Sequence, residues 1–94
     1  MEKLSEEEIT SRLKKLAGWE YKDGAIERNY KFKNFKDAFS TMTRIAFECE
    51  AQNHHPDWTN VYNSLQIRLN THDVSGITNN DFKLADSIEN IVNN

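Results

Sequence analysis

Glu50-Ala51-Gln52-Asn53-His54-His55-Pro56-Asp57-Trp58 places two adjacent histidines between a predicted helix and a predicted strand. An imidazole titrates near neutral pH and can donate or accept a proton there. Pro56 disfavours helix at the residue before it, so the preceding helix is predicted to end near Gln52-Asn53. His72 is the third histidine of the chain. The three imidazoles are therefore the first candidates for functional groups.

The segment before the histidine pair has the clearest helical pattern of the chain. Asn34 is a suitable N-cap for this helix. Apolar residues then recur at steps of three and four positions, and they are Phe35, Ala38, Phe39, Met42, Ile45, Ala46 and Cys49. Phe47 lies off this stripe. An aromatic residue on the outer face of a helix marks either a subunit contact or an incidentally exposed side chain.

The segment after the histidine pair predicts a β-hairpin. Its strands are expected over residues 58–62 and 65–71, with a two-residue turn at Asn63-Ser64. This register places Trp58 near Leu69. The histidines on the two sides of the hairpin therefore leave it at the same end.

Another hairpin and two more helices complete the predicted order. A capping box at Ser5 and Glu8 starts the first helix, and a turn at Asp23-Gly24 joins the first two strands. In the second strand, alternation places Ile26 on the buried face and Glu27 on the wetter face. The first helix is predicted over residues 5–17, and the first two strands over residues 19–22 and 25–33. The third helix follows Thr78, with Asp81 as the acid of a second capping box.

The order helix, hairpin, helix, hairpin, helix predicts an α+β fold. We expect a four-stranded antiparallel sheet with three helices packed on one face, since one face of each strand is apolar. A length of 94 residues fits a single domain over residues 1–94.

The charge balance and the cysteine content exclude broad classes of function. The 12 basic and 15 acidic side chains give a net charge of −3, so neither nucleic acid nor a membrane is expected as a partner. The single Cys49 excludes an internal disulfide and fits a reducing compartment. The first residues carry no secretory or transit pattern, and no apolar run approaches the roughly 20 residues of a membrane span. A cytoplasmic location is therefore expected.

Two carboxylates, Glu50 and Asp81, are predicted near the same edge of the sheet as the imidazoles. The first interpretation is a metal site, although the side chains of adjacent histidines diverge and the usual His-x₃-His spacing is absent. The second is structural capping of helix ends, and the third is general acid–base catalysis near pH 7. A nucleophilic role is not expected for Cys49, which lies on an apolar helix stripe. The chain also lacks a glycine-rich phosphate loop.

The spacing of these residues resembles that of the pterin-4a-carbinolamine dehydratase family. The pattern is Glu50-x₃-His54-His55-Pro56, followed by Tyr62, His72 and Asp81. The similarity extends from about residue 4 to residue 92, and it includes the flanking segments 28–35, 58–63 and 71–78.

The resemblance implies an enzyme that dehydrates 4a-hydroxytetrahydropterins to quinonoid dihydropterins. Members support recycling of the tetrahydrobiopterin used by aromatic amino acid hydroxylases, and they use no metal or organic cofactor. They assemble as dimers or tetramers. Animal members also act as dimerisation cofactors of a homeodomain transcription factor, so a protein-interaction module on the same fold is the alternative function.

The resemblance also implies roles for the residues of the pattern. His54 and His72 are expected to form the proton-transfer pair, while His55 assists or orients the substrate. Asp81 is expected to orient His72 and to favour its protonated form. The expected substrate-binding residues are Glu50 and Pro56 around the histidine loop, Trp58 as a pocket wall, and Thr71, Asp73 and Val74 through the backbone after the last strand.

Overall fold

The computed structural model describes residues 2–94 and shows three helices and four strands. The helices are α1 (Glu6–Leu13), α2 (Phe35–Gln52) and α3 (Asn79–Val92), and the strands are β1 (Glu20–Lys22), β2 (Ala25–Lys31), β3 (Asp57–Val61) and β4 (Ser64–Leu69). All strand pairs are antiparallel, in the order β1-β2-β4-β3. The helices cover one face of the sheet, which confirms the predicted α+β architecture. Within residues 2–94, no helix is long and apolar enough to cross a membrane.

The core lies between the helices and the inward face of β4. This strand is central, with β2 on one side and β3 on the other, so its inward residues Leu65, Ile67 and Leu69 are at most 1% exposed. The third helix contributes Leu84 and Ile88, which are completely buried. Packing therefore fixes the position of β4 relative to α3. The residues that follow β4 are held close to the start of that helix as a result.

Local sequence signals account for most element boundaries. Both predicted capping boxes are present, at Ser5 of α1 and at Thr78 of α3. Asp23 and Gly24 have φ angles of 51° and 80°, the left-handed conformation that a tight hairpin requires at both turn positions. The first helix ends at Leu13, four residues before its predicted end. The amides that follow bond to carbonyls three residues back, which is a tighter turn than an α-helix.

The second hairpin has a different register from the predicted one. Val61 pairs with Ser64 and Trp58 with Ile67, so the turn is Tyr62-Asn63 and not Asn63-Ser64. Two asparagine side chains fix this turn: Asn60 donates to the carbonyls of residues 62 and 64, and Asn63 donates to the Phe32 carbonyl at 2.9 Å. The shift is two residues, which keeps Trp58 on the inward face.

The buried face of α2 differs in part from the predicted one, and β2 buries Glu27 in addition to Ile26 and Tyr30 of its predicted face. The buried residues of α2 are Ala38, Thr41, Ile45 and Cys49, whereas Phe35 and Phe39 of the predicted stripe are 44% and 54% exposed. The apolar residues of α2 occupy two adjacent strips, and only one strip contacts the core. On β2, Glu27 is buried because Arg68, its partner on β4, lies against it at 2.8 Å.

A carboxylate ties α3 to the sheet at the end opposite its N-terminus. The same oxygen of Glu89 accepts hydrogen bonds from the Trp19 indole at 3.0 Å, from the Tyr30 hydroxyl and from Arg28 at 3.4 Å. Burial, and then the hydrogen bond to Glu89, raises the pKa of Tyr30 well above its usual value. The folded protein therefore holds this phenol proton more tightly than the unfolded chain does.

This difference predicts how stability depends on alkaline pH. Because the folded-state pKa of Tyr30 is raised, its stabilisation is complete below pH about 10 and falls as the pH rises further, by about 1.4 kcal/mol per pH unit. Tyr30→Phe lacks the proton, so its unfolding free energy is expected to fall less steeply from pH 10 to 11. Urea unfolding of both proteins at several pH values measures this, with Tyr21→Phe on the exposed β1 strand as the control. Parallel curves for the wild type and Tyr30→Phe contradict the prediction.

Candidate active site

The end of α2 determines where the histidine pair lies. Asn53 has φ 52° and ψ 44°, the left-handed conformation that ends many helices. The amide of His54 donates to the Cys49 carbonyl at 3.0 Å, and the amide of Asn53 donates to the Glu50 carbonyl at 3.2 Å. This bonding pattern is a Schellman motif, with asparagine in the position that glycine usually takes. The chain is thus turned sharply at His54 before Pro56 leads it into β3.

The third histidine lies in a short closed loop after β4. Thr71 and Gly76 pair in an isolated bridge, with the Thr71 amide donating at 2.7 Å. Between them, His72–Val74 forms one turn of 3₁₀-helix, and Ser75 has a φ of 51°. His72 is exposed. The bridge fixes both ends of the loop, so the position of His72 follows from the end of β4.

The two segments meet in one open cavity of about 430 Å³. It is lined by the three histidines and by polar residues, namely Gln52, Asn53, His54, His55, Asn70, Thr71, His72, Asp73 and Asn80. Five of the predicted site residues are therefore brought together: His54, His55, Thr71, His72 and Asp73. Despite the changed register, both segments still leave the same end of the hairpin.

Asp81 lies behind the cavity wall and contacts His54. Its carboxylate is completely buried, and one oxygen lies 2.5 Å from Nε2 of His54. The other oxygen accepts from the Thr71 hydroxyl at 2.8 Å and from the Thr78 amide at 2.9 Å. The predicted contact of Asp81 with His72 is therefore corrected. The N-terminus of α3 faces the end of α2, and His54 is the histidine that lies there.

Glu50 makes the second histidine–carboxylate contact. Its carboxylate lies 2.6 Å from Nε2 of His55, and both side chains are more than half exposed. No ion pair joins His72 to a carboxylate within residues 2–94. The three imidazoles therefore have three different environments. His54 is paired with a buried carboxylate, His55 is paired with an exposed one, and His72 has no carboxylate partner among the described residues.

Some predicted residues lie outside the cavity lining, and some lining residues were not predicted. Pro56, Trp58 and Val74 are not among the lining residues. The lining residues missed from the sequence are Gln52, Asn53, Asn70 and Asn80. Asn70 directly precedes Thr71, so its position at the end of the predicted strand could have identified it as a lining residue. The other three lie at helix ends, where polar residues are common for structural reasons and asparagine is an ordinary cap.

The cavity has the groups for proton transfer and for binding a flat polar molecule. Each imidazole has at least one ring nitrogen that is not held by a carboxylate, and the amide side chains offer both donors and acceptors. Burial raises the pKa of the neighbouring Cys49 thiol to about 11, so this residue stays a protonated core residue. Within residues 2–94, no group of three or more His, Cys, Asp or Glu residues is arranged to hold a metal ion.

The chain belongs to the pterin 4 alpha carbinolamine dehydratase family, whose model matches residues 2–91. A protein of Christiangramia forsetii that carries the provisional name pterin-4-alpha-carbinolamine dehydratase is 60% identical over 92 residues, which is 98% of this chain and 95% of that protein. A protein of Prochlorococcus marinus with the same provisional name is 49% identical over 88 residues, covering 94% and 92% of the two chains.

Solved structures show the same fold. The crystal structure of a transcriptional coactivator/pterin dehydratase from Brucella melitensis matches with a TM-score of 0.94 and 39% identity, over 97% of this chain and 99% of that one. A pterin dehydratase-like RuBisCO assembly factor of the α-carboxysome matches with a TM-score of 0.66 and 12% identity, over 79% and 86% of the two chains. The second match shows a shared fold alone.

The contacts of Asp81 predict a large effect on stability. Asp81→Ala removes the acceptor for two buried donors and for His54, and it is expected to lower the unfolding free energy by about 3 kcal/mol. Glu8→Ala removes the acid at the same capping position of α1, where it is exposed, and a clearly smaller loss is expected. Urea unfolding at pH 7 compares them. Equal losses in the two variants show that Asp81 acts only as a helix cap.

Proposed function

We propose that this protein dehydrates 4a-hydroxytetrahydropterin to quinonoid dihydropterin and water by histidine general acid–base catalysis. The observation that carries the proposal is the convergence of His54, His55 and His72 on one cavity, with His54 held by a buried carboxylate. Membership of the dehydratase family supports the choice of a pterin as the substrate.

The reaction needs two proton transfers. The hydroxyl on C4a leaves as water after it receives a proton, and a ring nitrogen gives up a proton as the double bond to C4a forms. Well-placed groups that titrate near pH 7 accelerate such steps by roughly 10²–10⁴-fold. Imidazoles meet this requirement without a metal or an organic cofactor.

His54 and His72 are the proposed proton-transfer pair, and they line the cavity from its two sides. Asp81 lies at Nε2 of His54, which leaves Nδ1 for the substrate. That nitrogen accepts a proton when the ring is neutral and donates one when the ring is charged. His72 is exposed, so it can exchange protons with solvent between turnovers. His55 contacts Glu50 at the exposed edge of the cavity, and its proposed role is to assist the proton transfer or to orient the pterin.

The pterin ring also needs hydrogen bonds along its edge. Asp73 and Thr71 line the cavity, and the backbone of their loop is proposed to supply these hydrogen bonds. The proposed roles of Pro56 and Val74 are indirect, since these residues shape the two loops without lining the cavity. Trp58 lies on β3 and packs against the core, so its proposed role is also indirect, through the sheet. In the cell, we place the reaction in the cytoplasm, in recycling of the tetrahydrobiopterin used by an aromatic amino acid hydroxylase.

The assay generates 4a-hydroxytetrahydropterin in solution and follows its decay with and without the protein. Wild type is expected to accelerate the decay, and His54→Ala and His72→Ala are each expected to lose about 10²-fold or more of kcat/KM. Lys31→Ala, at the far end of β2, is the matched control and is expected to keep wild-type activity. No acceleration by the wild type, or full activity in both histidine variants, disproves the proposed reaction.

A role in protein association is the second candidate function. Phe35, Phe39 and Phe47 of α2 are 44%, 54% and 73% exposed, and the rings of Phe35 and Phe39 lie 5.7 Å apart. Exposed aromatic groups of this kind mark association surfaces. We propose that this aromatic surface of α2 holds a homodimer or homotetramer together, and that it is the surface by which an adaptor would bind its partner.

Charge placed on the aromatic surface is expected to break the assembly. The double variant Phe39→Glu/Phe47→Glu introduces repulsion and removes apolar contact area, so sedimentation is expected to show a smaller species than the wild type. Tyr21→Glu, an exposed aromatic residue on β1, is the control and is expected to keep the wild-type mass. A monomeric wild type, or an unchanged mass in the double variant, contradicts the proposed assembly.

A further inference from the structure

Two buried threonine hydroxyls lie next to each other beside the histidine cavity, and one of them belongs to the lining residue Thr71. Thr71 is 5% exposed and Thr78 is completely buried, and their Oγ1 atoms are 2.8 Å apart. Thr71 follows β4, while Thr78 is the N-cap of α3. A buried hydroxyl needs a hydrogen-bond partner, and the partners here lead directly to Asp81.

The number of hydrogens fixes the direction of every bond in this group. A hydroxyl has one hydrogen to donate, and a carboxylate oxygen only accepts. Thr71 must therefore donate to Asp81, at 2.8 Å, and accept from Thr78. Thr78 in turn accepts from the Asn80 amide at 3.2 Å. The chain of bonds runs one way, from the start of α3 through both hydroxyls to the carboxylate.

This arrangement leaves one oxygen of Asp81 for His54. The other oxygen already receives the Thr71 hydroxyl and the Thr78 amide. Because the remaining oxygen can only accept, the hydrogen of the neutral His54 ring must lie on Nε2, 2.5 Å away. Nδ1 is then the unprotonated nitrogen of the neutral ring. The tautomer of His54 therefore depends on how the carboxylate is held.

We propose that Thr71 is a positioning residue, whose hydroxyl fixes Asp81 so that His54 keeps its hydrogen on Nε2. Thr71 is also the residue directly before His72, so one residue links the positions of the two histidines. The Thr78 amide belongs to the start of α3, the same helix as Asp81, so it cannot fix the carboxylate relative to the sheet. The Thr71 hydroxyl comes from the segment after β4 and therefore ties the carboxylate to the sheet. The use of this positioning in catalysis rests on the proposed dehydratase function.

The test compares Thr71→Val, which removes the hydroxyl and keeps the side-chain shape, with Thr71→Ser, which keeps the hydroxyl. Long-range ¹H–¹⁵N spectra of the imidazoles report the tautomer of His54. Wild type and Thr71→Ser are expected to show the Nε2–H form, and Thr71→Val a mixture of both forms. In the pterin assay, Thr71→Val is expected to lose about 10- to 100-fold of kcat, as for one hydrogen bond to a charged group, with KM nearly unchanged.

Thr41→Val is the matched control, since Thr41 is 6% exposed and lies on α2 away from Asp81. It is expected to keep the wild-type spectrum of His54 and the wild-type kcat. Thr71→Ala removes the same hydroxyl without placing a methyl group against the carboxylate, and it replaces Thr71→Val if that variant does not fold.

An unchanged His54 spectrum in Thr71→Val overturns the positioning role, whatever the activity. Equal losses of kcat in Thr71→Val and Thr71→Ser overturn it too, because the hydroxyl is then not the group that matters. Failure of the proposed function has a different signature, namely a wild type without dehydratase activity. In that case the nitrogen spectra still decide whether Thr71 positions His54.

Discussion

A single buried carboxylate connects the three segments from which the cavity is built. Burying a charged group is costly unless hydrogen bonds replace its water. Asp81 meets this requirement with donors from three places: Thr78 at the start of α3, Thr71 after β4 and His54 after α2. The contacts that make its burial tolerable are therefore the contacts that locate His54. The hydrogen bonds of Asp81 therefore contribute both to the stability of the fold and to the geometry of the cavity.

Much of the fold could be predicted because its signals are local. The capping boxes at Ser5 and Thr78, the N-cap at Asn34 and the turn at Asp23-Gly24 each involve residues within four positions of one another. Apolar periodicity then indicated how many helices and strands to expect. The clustering of the histidines also followed from local order, since it required only that His54 and His72 flank the same hairpin.

The errors concern contacts between distant residues. The turn at Tyr62-Asn63 depends on the Phe32 carbonyl, 31 positions away from Asn63, which no local pattern reveals. The apolar residues of α2 form two adjacent strips, and only the packing of the helix against the sheet decides which strip is buried. The contact of Asp81 with His54 spans 27 positions. Sequence spacing favoured His72, the nearer histidine, whereas the packing of α3 beside α2 brings Asp81 to His54.

The two histidine–carboxylate pairs differ in a way that bears on the proposed reaction. The pair of His55 and Glu50 is exposed, so water and salt weaken it and both side chains can move. The pair of His54 and Asp81 is enclosed, and its carboxylate is held by two further donors. An imidazole held in this way needs no reorganisation when a proton moves, which is the advantage of a preorganised site. In the proposed reaction, His54 is therefore the fixed partner of the pterin, while the exposed side chain of His55 is free to adjust to it from the same loop.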